Sequence, residues 1–298
     1  MIPVILDTDI GTDIDDTWAL AMLLNSPELK LEAVVTSHGD TRYRALLAAK
    51  VLAVAGRDVP VGEGTGTGQL AENRRGQAAW LDRYAESDYA GAYRTGGAEL
   101  MVETIMASPE PVTVLCIGPA STTAQALRLA PQIATRARFV GMHGAVRRGY
   151  RGSATPVPEY NVFEDVAAFR TVLAAPWPIT LTPLDTCGIV TLEDDEYGAV
   201  RDADTPLARA LLANYRAWAA ALNRPELAEQ RSTTLFDTVA VYLAFADDLL
   251  EMETIALAVR DDGLTYESAD GRAVSAALGW RDLPAFRRDL VQRLIRSG

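Results

Sequence analysis

Asp7-Thr8-Asp9-Ile10-Gly11-Thr12-Asp13-Ile14-Asp15-Asp16 is the stretch from which the architecture of this 298-residue chain can be inferred. The apolar run 2–6 precedes it, and residues 15–25 then carry apolar side chains at helical spacing. The stretch therefore joins a predicted strand to a predicted helix. Its five carboxylates fall at that junction.

The same alternation of strand and helix recurs along the chain. The predicted strands are residues 2–6, 31–36, 112–117, 138–142 and 178–182, and the predicted helices are 15–25, 44–55, 121–129, 207–222 and one beginning near Phe236. Apolar strands that show little alternation and are separated by helices indicate a parallel sheet covered on both faces. We therefore predict an α/β fold, in which residues 1–298 form a single domain with a mostly parallel, Rossmann-like central sheet.

Composition limits the partners of the chain. Its 40 acidic and 28 basic residues give a formal charge of −12, which argues against nucleic acids and anionic membranes as partners. No apolar run approaches the roughly 18 residues that span a bilayer, and residues 1–6 carry no targeting pattern. We expect a cytoplasmic protein that acts on a small molecule. Cys116 and Cys187 lie among apolar neighbours and are expected to be buried free thiols.

The density of carboxylates in residues 7–16 requires a counter-charge. Crowded carboxylates raise one another's pKa values, and a divalent cation is the simplest way to neutralise them. Oxygen ligands favour Ca²⁺ or Mg²⁺ over zinc, and the spacing is not that of an EF-hand. Alternatively, Asp13 or Asp15 caps the helix and the other carboxylates are solvated. Capping accounts for one or two of the five.

The acidic stretch resembles the N-terminal signature of the inosine-uridine-preferring nucleoside hydrolase family, which is Asp-x-Asp, then Gly, then Asp-Asp. Four later segments resemble motifs of that family in the same order: Gly118-Pro119-Ala120-Ser121-Thr122, Thr155-Pro156-Val157-Pro158-Glu159-Tyr160-Asn161, Pro183-Leu184-Asp185 and Phe236-Asp237. The resemblance covers nearly the whole chain. It implies the nucleoside hydrolase fold and calcium-dependent hydrolysis of the N-glycosidic bond of ribonucleosides, which yields free base and ribose.

The resemblance also implies a metal site and a general base. Asp9, Asp16 and Asp237 would bind Ca²⁺ together with a backbone carbonyl from the turn near Ser121. Asp9 would accept the proton of the attacking water, because a carboxylate within hydrogen-bonding reach can deprotonate water that a metal has made more acidic. Asp7 would support the loop by hydrogen bonds.

Further residues are implied to bind the sugar. Asp15, Glu159 and Asn161 would hold ribose hydroxyls, since carboxylate and amide groups suit vicinal diols. Ser153 and Asp40 stand where the family has Asn, and both could face the sugar. The alternatives are that Glu159 and Asn161 are solvated loop residues and that Asp40 caps the helix beyond it.

The chain departs from the family pattern at two places. Two additional residues precede the Asp15-Asp16 pair, which makes Asp13 an alternative to Asp15 in the sugar site. Phe236 replaces a His that the resemblance links to protonation of the leaving group, and Phe can only stack on the base or pack in the core. Of the two histidines, His38 follows a strand and is a candidate donor or base contact, whereas His143 is expected to be structural.

One pair of aromatic residues and two long segments are further candidates for functional roles. Tyr215 and Trp218, three residues apart on a predicted helix, indicate either a packed face or a lid over the base. Long segments at 62–76 and 144–159 are typical of functional or mobile loops.

Two other functions remain alternatives: a nucleoside-binding protein without catalysis, and a phosphohydrolase with an aspartyl nucleophile. Cleavage of p-nitrophenyl riboside or of p-nitrophenyl phosphate would distinguish a nucleoside hydrolase from a phosphatase. The resemblance suggests a homodimer or homotetramer.

Overall fold

In the computed structural model, which describes residues 1–296, ten strands form one sheet. The strands are β1 (Ile2–Thr8), β2 (Leu29–Thr36), β3 (Val61–Gly62), β4 (Tyr93–Arg94), β5 (Val112–Cys116), β6 (Ala137–Met142), β7 (Ile179–Thr182), β8 (Leu250–Val259), β9 (Thr265–Glu267) and β10 (Arg272–Trp280). Their order in the sheet is β4-β3-β2-β1-β5-β6-β7-β10-β8-β9. All neighbours from β4 to β10 are parallel, whereas β8 is antiparallel to both β10 and β9. The predicted α/β class with a mostly parallel sheet is confirmed.

Helices cover both faces of this sheet. They are α1 (Asp15–Leu24), α2 (Thr41–Val54), α3 (Ala78–Leu81), α4 (Gly97–Ala107), α5 (Ser121–Leu129), α6 (Tyr160–Glu164), α7 (Val166–Ala174), α8 (Leu184–Cys187), α9 (Asp194–Arg201), α10 (Pro206–Ala221), α11 (Leu227–Gln230), α12 (Phe236–Leu243) and α13 (Leu283–Leu294). Successive side chains of β1 point to opposite faces, so Leu6 joins one apolar core and Ile5 the other. This is the reason that β1 reads as a continuous apolar run.

The predicted elements agree with the structure to within three residues at their ends. The antiparallel segment β8–β10 was not predicted. Its signal in the sequence is alternation, because Ile255 and Leu257 are buried in one core, whereas Thr254 is exposed and Ala256 is only half-buried. Both cysteines are buried free thiols, as predicted. Across residues 1–296, the helices are all too short or too polar to cross a lipid bilayer.

The topology creates a crevice beside β1. From β1 the chain runs outward through β2, β3 and β4, and it then returns to place β5 on the other side of β1. The loops after β1 and β5 therefore leave the sheet in divergent directions. In open α/β sheets ligands bind at such a switch point, beyond the carboxyl ends of the strands.

Candidate active site

The acidic loop, residues 9–14, connects β1 to α1 at this switch point. Beneath it lies Arg44 of α2, which is fully buried. The Arg44 guanidinium donates hydrogen bonds to the carbonyl oxygens of Asp9 and Ile10 and, at 3.1 Å, to the hydroxyl of Thr12. One buried cation thus holds the first half of the loop.

The next three carbonyls of the acidic loop are held by other side chains. The Tyr43 hydroxyl donates to Gly11 at 3.3 Å, the Trp218 indole to Thr12 at 2.9 Å, and the Gln77 amide to Asp13 at 2.7 Å. Gly11 has a φ of +117°, and a Cβ there would lie 2.6 Å from the Tyr43 ring, so this position requires glycine. Each carbonyl from residue 9 to residue 13 accepts a side-chain hydrogen bond, and the carboxylates are left to face the crevice.

Asp7 lies below the loop at the end of β1. Its carboxylate accepts hydrogen bonds from the hydroxyls of Ser37 at 2.6 Å and Thr123 at 2.7 Å. Burial raises the pKa of Asp7 to about 6, and these hydrogen bonds oppose that rise. The contacts agree with the supporting role expected of Asp7.

A pocket of about 250 Å³ opens above the acidic loop. Its wall consists of Asp9, Thr12, Asp13, Asp15, Asp16, Arg74, Ile117, Met142, Tyr150, Glu159, Tyr160, Asn161, Phe236 and Asp237. The structure therefore brings together seven of the predicted site residues, which are Asp9, Asp15, Asp16, Glu159, Asn161, Phe236 and Asp237. They come from both halves of the chain.

Four buried aspartates form the acidic end of this pocket. Carboxylate oxygens of Asp15, Asp16 and Asp237 lie within 4.8 Å of one another. Burial, and then repulsion among these groups, Asp9 and Asp13, raises the pKa values of Asp15, Asp16 and Asp237 well above their ordinary range. Arg44, 3.7 Å from the Asp9 carboxylate, compensates only part of this charge. An all-oxygen cluster with excess negative charge fits a hard divalent cation.

Glu159 and Asn161 form another side of the pocket, and both are buried rather than solvated. Glu159 caps α6 by accepting from the backbone of Asn161 at 2.7 Å, and it also accepts from the backbone of Gly144 at 2.9 Å. Burial raises the pKa of Glu159 to about 7 despite these hydrogen bonds. The Asn161 amide donates to the carbonyls of Ile117 at 3.1 Å and Met142 at 3.0 Å, which joins α6 to the ends of β5 and β6.

Aromatic residues and one arginine form the remaining wall. Phe236, the first residue of α12, meets Tyr150 edge to face with ring centroids 5.9 Å apart. Arg74 donates a hydrogen bond to the Tyr160 hydroxyl, and its guanidinium lies 5.2 Å from the centre of the Tyr160 ring. An aromatic wall of this kind suits the flat face of a base.

Four predicted site residues lie outside this wall. Asp40 caps α2 by accepting from the Tyr43 backbone at 3.0 Å, as the alternative interpretation had it, and it also pairs with Arg75. His38 packs edge to face on Tyr160 with its Nε2 atom 3.4 Å from Glu164. Ser153 is exposed. These positions reflect tertiary contacts that spacing alone does not indicate.

Ser121 is the fourth predicted site residue that lies outside the pocket wall. Its hydroxyl donates to Asp165 at 2.6 Å, and it stands at the start of α5 rather than on the pocket wall. Ile117, which directly follows β5, occupies the wall instead. Within this turn, Ile117 is therefore the residue that lines the pocket.

Sequence reasoning missed Arg44, Arg74, Gln77 and Tyr150. Arg74 and Tyr150 lie in the two long segments that the sequence marks as functional or mobile, but nothing in their spacing singles them out. The lid interpretation of Tyr215 and Trp218 was wrong: Tyr215 is fully buried against Trp18, with ring centroids 5.9 Å apart, and Trp218 is buried against the acidic loop.

Comparison with known proteins adds to this geometry. Residues 4–284 match the family described as inosine-uridine preferring nucleoside hydrolase. The chain belongs to this family. The predicted membership is confirmed, as is the prediction that the chain is an enzyme of the N-ribosyl hydrolase type.

Relatives of the chain in this family include pyrimidine-specific ribonucleoside hydrolases. RihA of Salmonella paratyphi B is 31% identical over 216 residues, which cover 69% of this chain and 68% of that protein. RihA of Citrobacter koseri is 32% identical over 218 residues, which cover 69% of this chain and 67% of that protein.

Solved structures of the family share the fold. A plant nucleoside hydrolase, the PpNRh1 enzyme, has a TM-score of 0.82 at 21% identity and 99% coverage of both chains. The inosine-uridine preferring nucleoside hydrolase of Bacillus anthracis has a TM-score of 0.74 at 22% identity, also with 99% coverage of both chains. At these identities the likeness concerns the fold alone.

Proposed function

We propose that this nucleoside hydrolase is calcium-dependent and that Asp9 is its general base. The observation that carries the proposal is the cluster of buried carboxylates of Asp15, Asp16 and Asp237, with Asp9 beside it, at the switch point of the sheet. Burial of several like charges is costly unless a cation joins them. The cluster supports a divalent ion as a resident part of the site.

Asp9, Asp16 and Asp237 would hold the ion, and the carbonyl of Ile117 would replace the one predicted near Ser121. When bound, Ca²⁺ would orient the attacking water and lower its pKa. Asp15 is close enough to Asp16 and Asp237 to act as a further ligand, but we assign it to the ribose hydroxyls with Glu159 and Asn161.

The chain's own residues then carry out three tasks. Asp9 accepts the proton of the water as the water oxygen attacks the anomeric carbon. Asp15, Glu159 and Asn161 hold the ribose so that this carbon faces the water, which removes most of the entropic cost of the encounter. Phe236 and Tyr150 offer an aromatic surface to the base.

We propose the base preference from the relatives of the chain and not from the pocket wall. The similarity to pyrimidine-specific hydrolases leads us to propose that uridine and cytidine are among the substrates. We further propose that residues 1–298 form one nucleoside hydrolase domain. Assembly as a homodimer or homotetramer stays a prediction, as does a cytoplasmic location.

The first experiment measures ribose released from uridine, cytidine, inosine, guanosine and adenosine before and after chelation of calcium. We expect release from at least one nucleoside, loss after chelation, and recovery when Ca²⁺ is returned. Release that persists without any divalent ion would contradict the metal role. If no ribose is released from any of the five nucleosides although calcium is bound, the alternative of a nucleoside-binding protein is favoured.

A further inference from the structure

Hydrolysis of a nucleoside leaves negative charge on the departing base, so the pocket wall needs a hydrogen-bond donor beside it. Besides Thr12 and Arg74, the side chains on the wall that can donate a hydrogen bond are those of Asn161, Tyr150 and Tyr160. The amide hydrogens of Asn161 are already directed at the carbonyls of Ile117 and Met142. Neither histidine lies on the wall, since His143 is fully buried against Phe169 and His38 packs edge to face on Tyr160.

Tyr160 has a hydroxyl proton that is free to donate. Its oxygen accepts a hydrogen bond from Arg74, and within residues 1–296 the hydroxyl has no protein acceptor. An oxygen that accepts from a guanidinium becomes a stronger donor through its own proton, because the two hydrogen bonds polarise one another. Tyr160 lies on the pocket wall, and from this position we infer that the proton is available to a bound molecule.

Arg74 is itself fixed in place. Its Nη1 atom lies 3.8 Å from Glu164, and the other oxygen of Glu164 lies 3.4 Å from the Nε2 atom of His38. The guanidinium also covers the Tyr160 ring. Contacts on two sides hold Arg74 against the phenol, and the arginine is the last residue of a short 3-10 helix in the connection between β3 and β4.

Tyr150 is the other phenol on the wall, and its surroundings differ. Its oxygen accepts from the backbone N–H of Tyr160 at 3.1 Å, and its ring packs against the edge of Phe236. Within the described part of the chain no cation hydrogen-bonds to Tyr150. Its hydroxyl is therefore the weaker donor of the two.

We propose that Tyr160 is the hydrogen-bond donor to the leaving base and that Arg74 is the positioning residue that orients and polarises it. This inference rests on the proposed function. As the bond between the anomeric carbon and the base nitrogen breaks, its electron pair passes to the base, and an acceptor atom of the base receives the Tyr160 hydrogen bond. The water oxygen bonds to the anomeric carbon, and its proton goes to Asp9. Tyr160 keeps its proton, and the base is protonated by solvent on release.

The test compares two leaving groups in the calcium-loaded enzyme. Uridine needs help to release its base, whereas p-nitrophenyl riboside releases an anion that is stable without it. For Tyr160→Phe we expect kcat/KM on the most active nucleoside to fall by about 100-fold and kcat/KM on p-nitrophenyl riboside to stay within about threefold of wild type. Tyr89→Phe, which removes a phenol bonded to the carbonyls of Arg57 and Val59 outside the pocket, is the matched control.

Arg74→Met should reproduce the selective loss, and Arg74→Lys should restore part of it, because a lysine still donates to the phenol. Equal losses on both substrates in Tyr160→Phe would overturn the inference, since they would indicate a general disturbance of the site. A nucleoside rate unchanged in that variant would also overturn it. If the wild type cleaves neither substrate, the proposed function itself fails, and this is known before any variant is made.

Discussion

The indole nitrogen of Trp218 donates a 2.9 Å hydrogen bond to the carbonyl oxygen of Thr12, across 206 residues of sequence. Through this contact α10 holds the acidic loop, in addition to the hydrogen bonds that Arg44 of α2 donates to it. The carboxylates of the loop are thereby positioned by residues that do not line the pocket.

Trp218→Phe removes this hydrogen bond and leaves the Thr12 carbonyl without its donor. Because Thr12 is half-buried, we expect a loss of about 1 kcal/mol in the free energy of unfolding, the usual net contribution of a hydrogen bond. We also expect a fall of about tenfold in kcat/KM because the loop shifts. Urea unfolding and ribose release measure the two effects. Trp177→Phe removes an equivalent 3.0 Å bond to Val172 in the other core, and should lower stability alone. Equal kinetic losses in both variants would contradict the positioning role.

Asp9→Asn tests the general base. The amide keeps one oxygen for the ion but cannot accept a proton, so kcat in excess calcium should fall by roughly 10²–10⁴-fold while the fold is retained. The exposed Asp270→Asn serves as the control for the loss of one negative charge. Wild-type turnover in Asp9→Asn would remove Asp9 from this role.

Calcium should stabilise the folded enzyme. Free ion at 100 times its dissociation constant adds about 2.7 kcal/mol to the free energy of unfolding. Asp237→Asn removes one repelling charge, so without calcium this variant should melt above the wild type, and with calcium it should melt below. Melting temperatures of both proteins in chelator and in calcium measure this. The idea fails if the order of the two proteins is the same in both buffers.

The buried His143 should make the enzyme sensitive to acid. Burial lowers the pKa of His143 to about 3, so the folded protein keeps it neutral where the unfolded chain, near 6.5, takes up a proton. Its contribution to stability is present above pH 6.5 and is lost as pH falls towards 3. Between pH 7.5 and pH 5 the wild type should lose about 2 kcal/mol more than His143→Phe. Urea unfolding at both pH values gives the difference, and equal losses would show that His143 is not the group responsible.

Substitutions of Asp40 distinguish the two interpretations of its role, which are a helix cap and a sugar contact. As the cap of α2, Asp40→Ala should cost about 1 kcal/mol of stability and leave KM for the nucleoside within about twofold. Asp40→Asn, which preserves a capping side chain, should recover most of the stability. A several-fold rise in KM with Asp40→Asn would instead support the sugar contact that the sequence suggested.

The first strand, the acidic loop and the helix after it could be predicted because the apolar run and the five carboxylates are consecutive in sequence. Glu159, Asn161 and Asp237 were found through motifs with a recognisable order. Arg44 and Gln77 could not be found in this way. Their role depends on which distant carbonyls they meet, and a buried arginine in a helix has the same sequence appearance as an exposed one.

Asp40, Ser121 and Ser153 illustrate the reverse difficulty. Each stands beside a motif, yet the side chain turns to a helix end, to Asp165 or to solvent. A residue's place in a motif indicates where its backbone lies relative to the strand or helix beside it. Its side-chain direction depends on competing local partners, such as an unpaired N–H at the start of a helix.

The acidic cluster joins Asp15 and Asp16, near the beginning of the chain, to Asp237 on α12. During synthesis the ribosome has therefore made β1 to β7 and most of the helices before the last carboxylate emerges. A nascent chain that stops before α12 can pair the parallel strands β1 to β7 but lacks the last carboxylate of the proposed ion site. With the proposed function, hydrolytic competence is acquired late in the synthesis of the polypeptide, and premature termination products are expected to be inert.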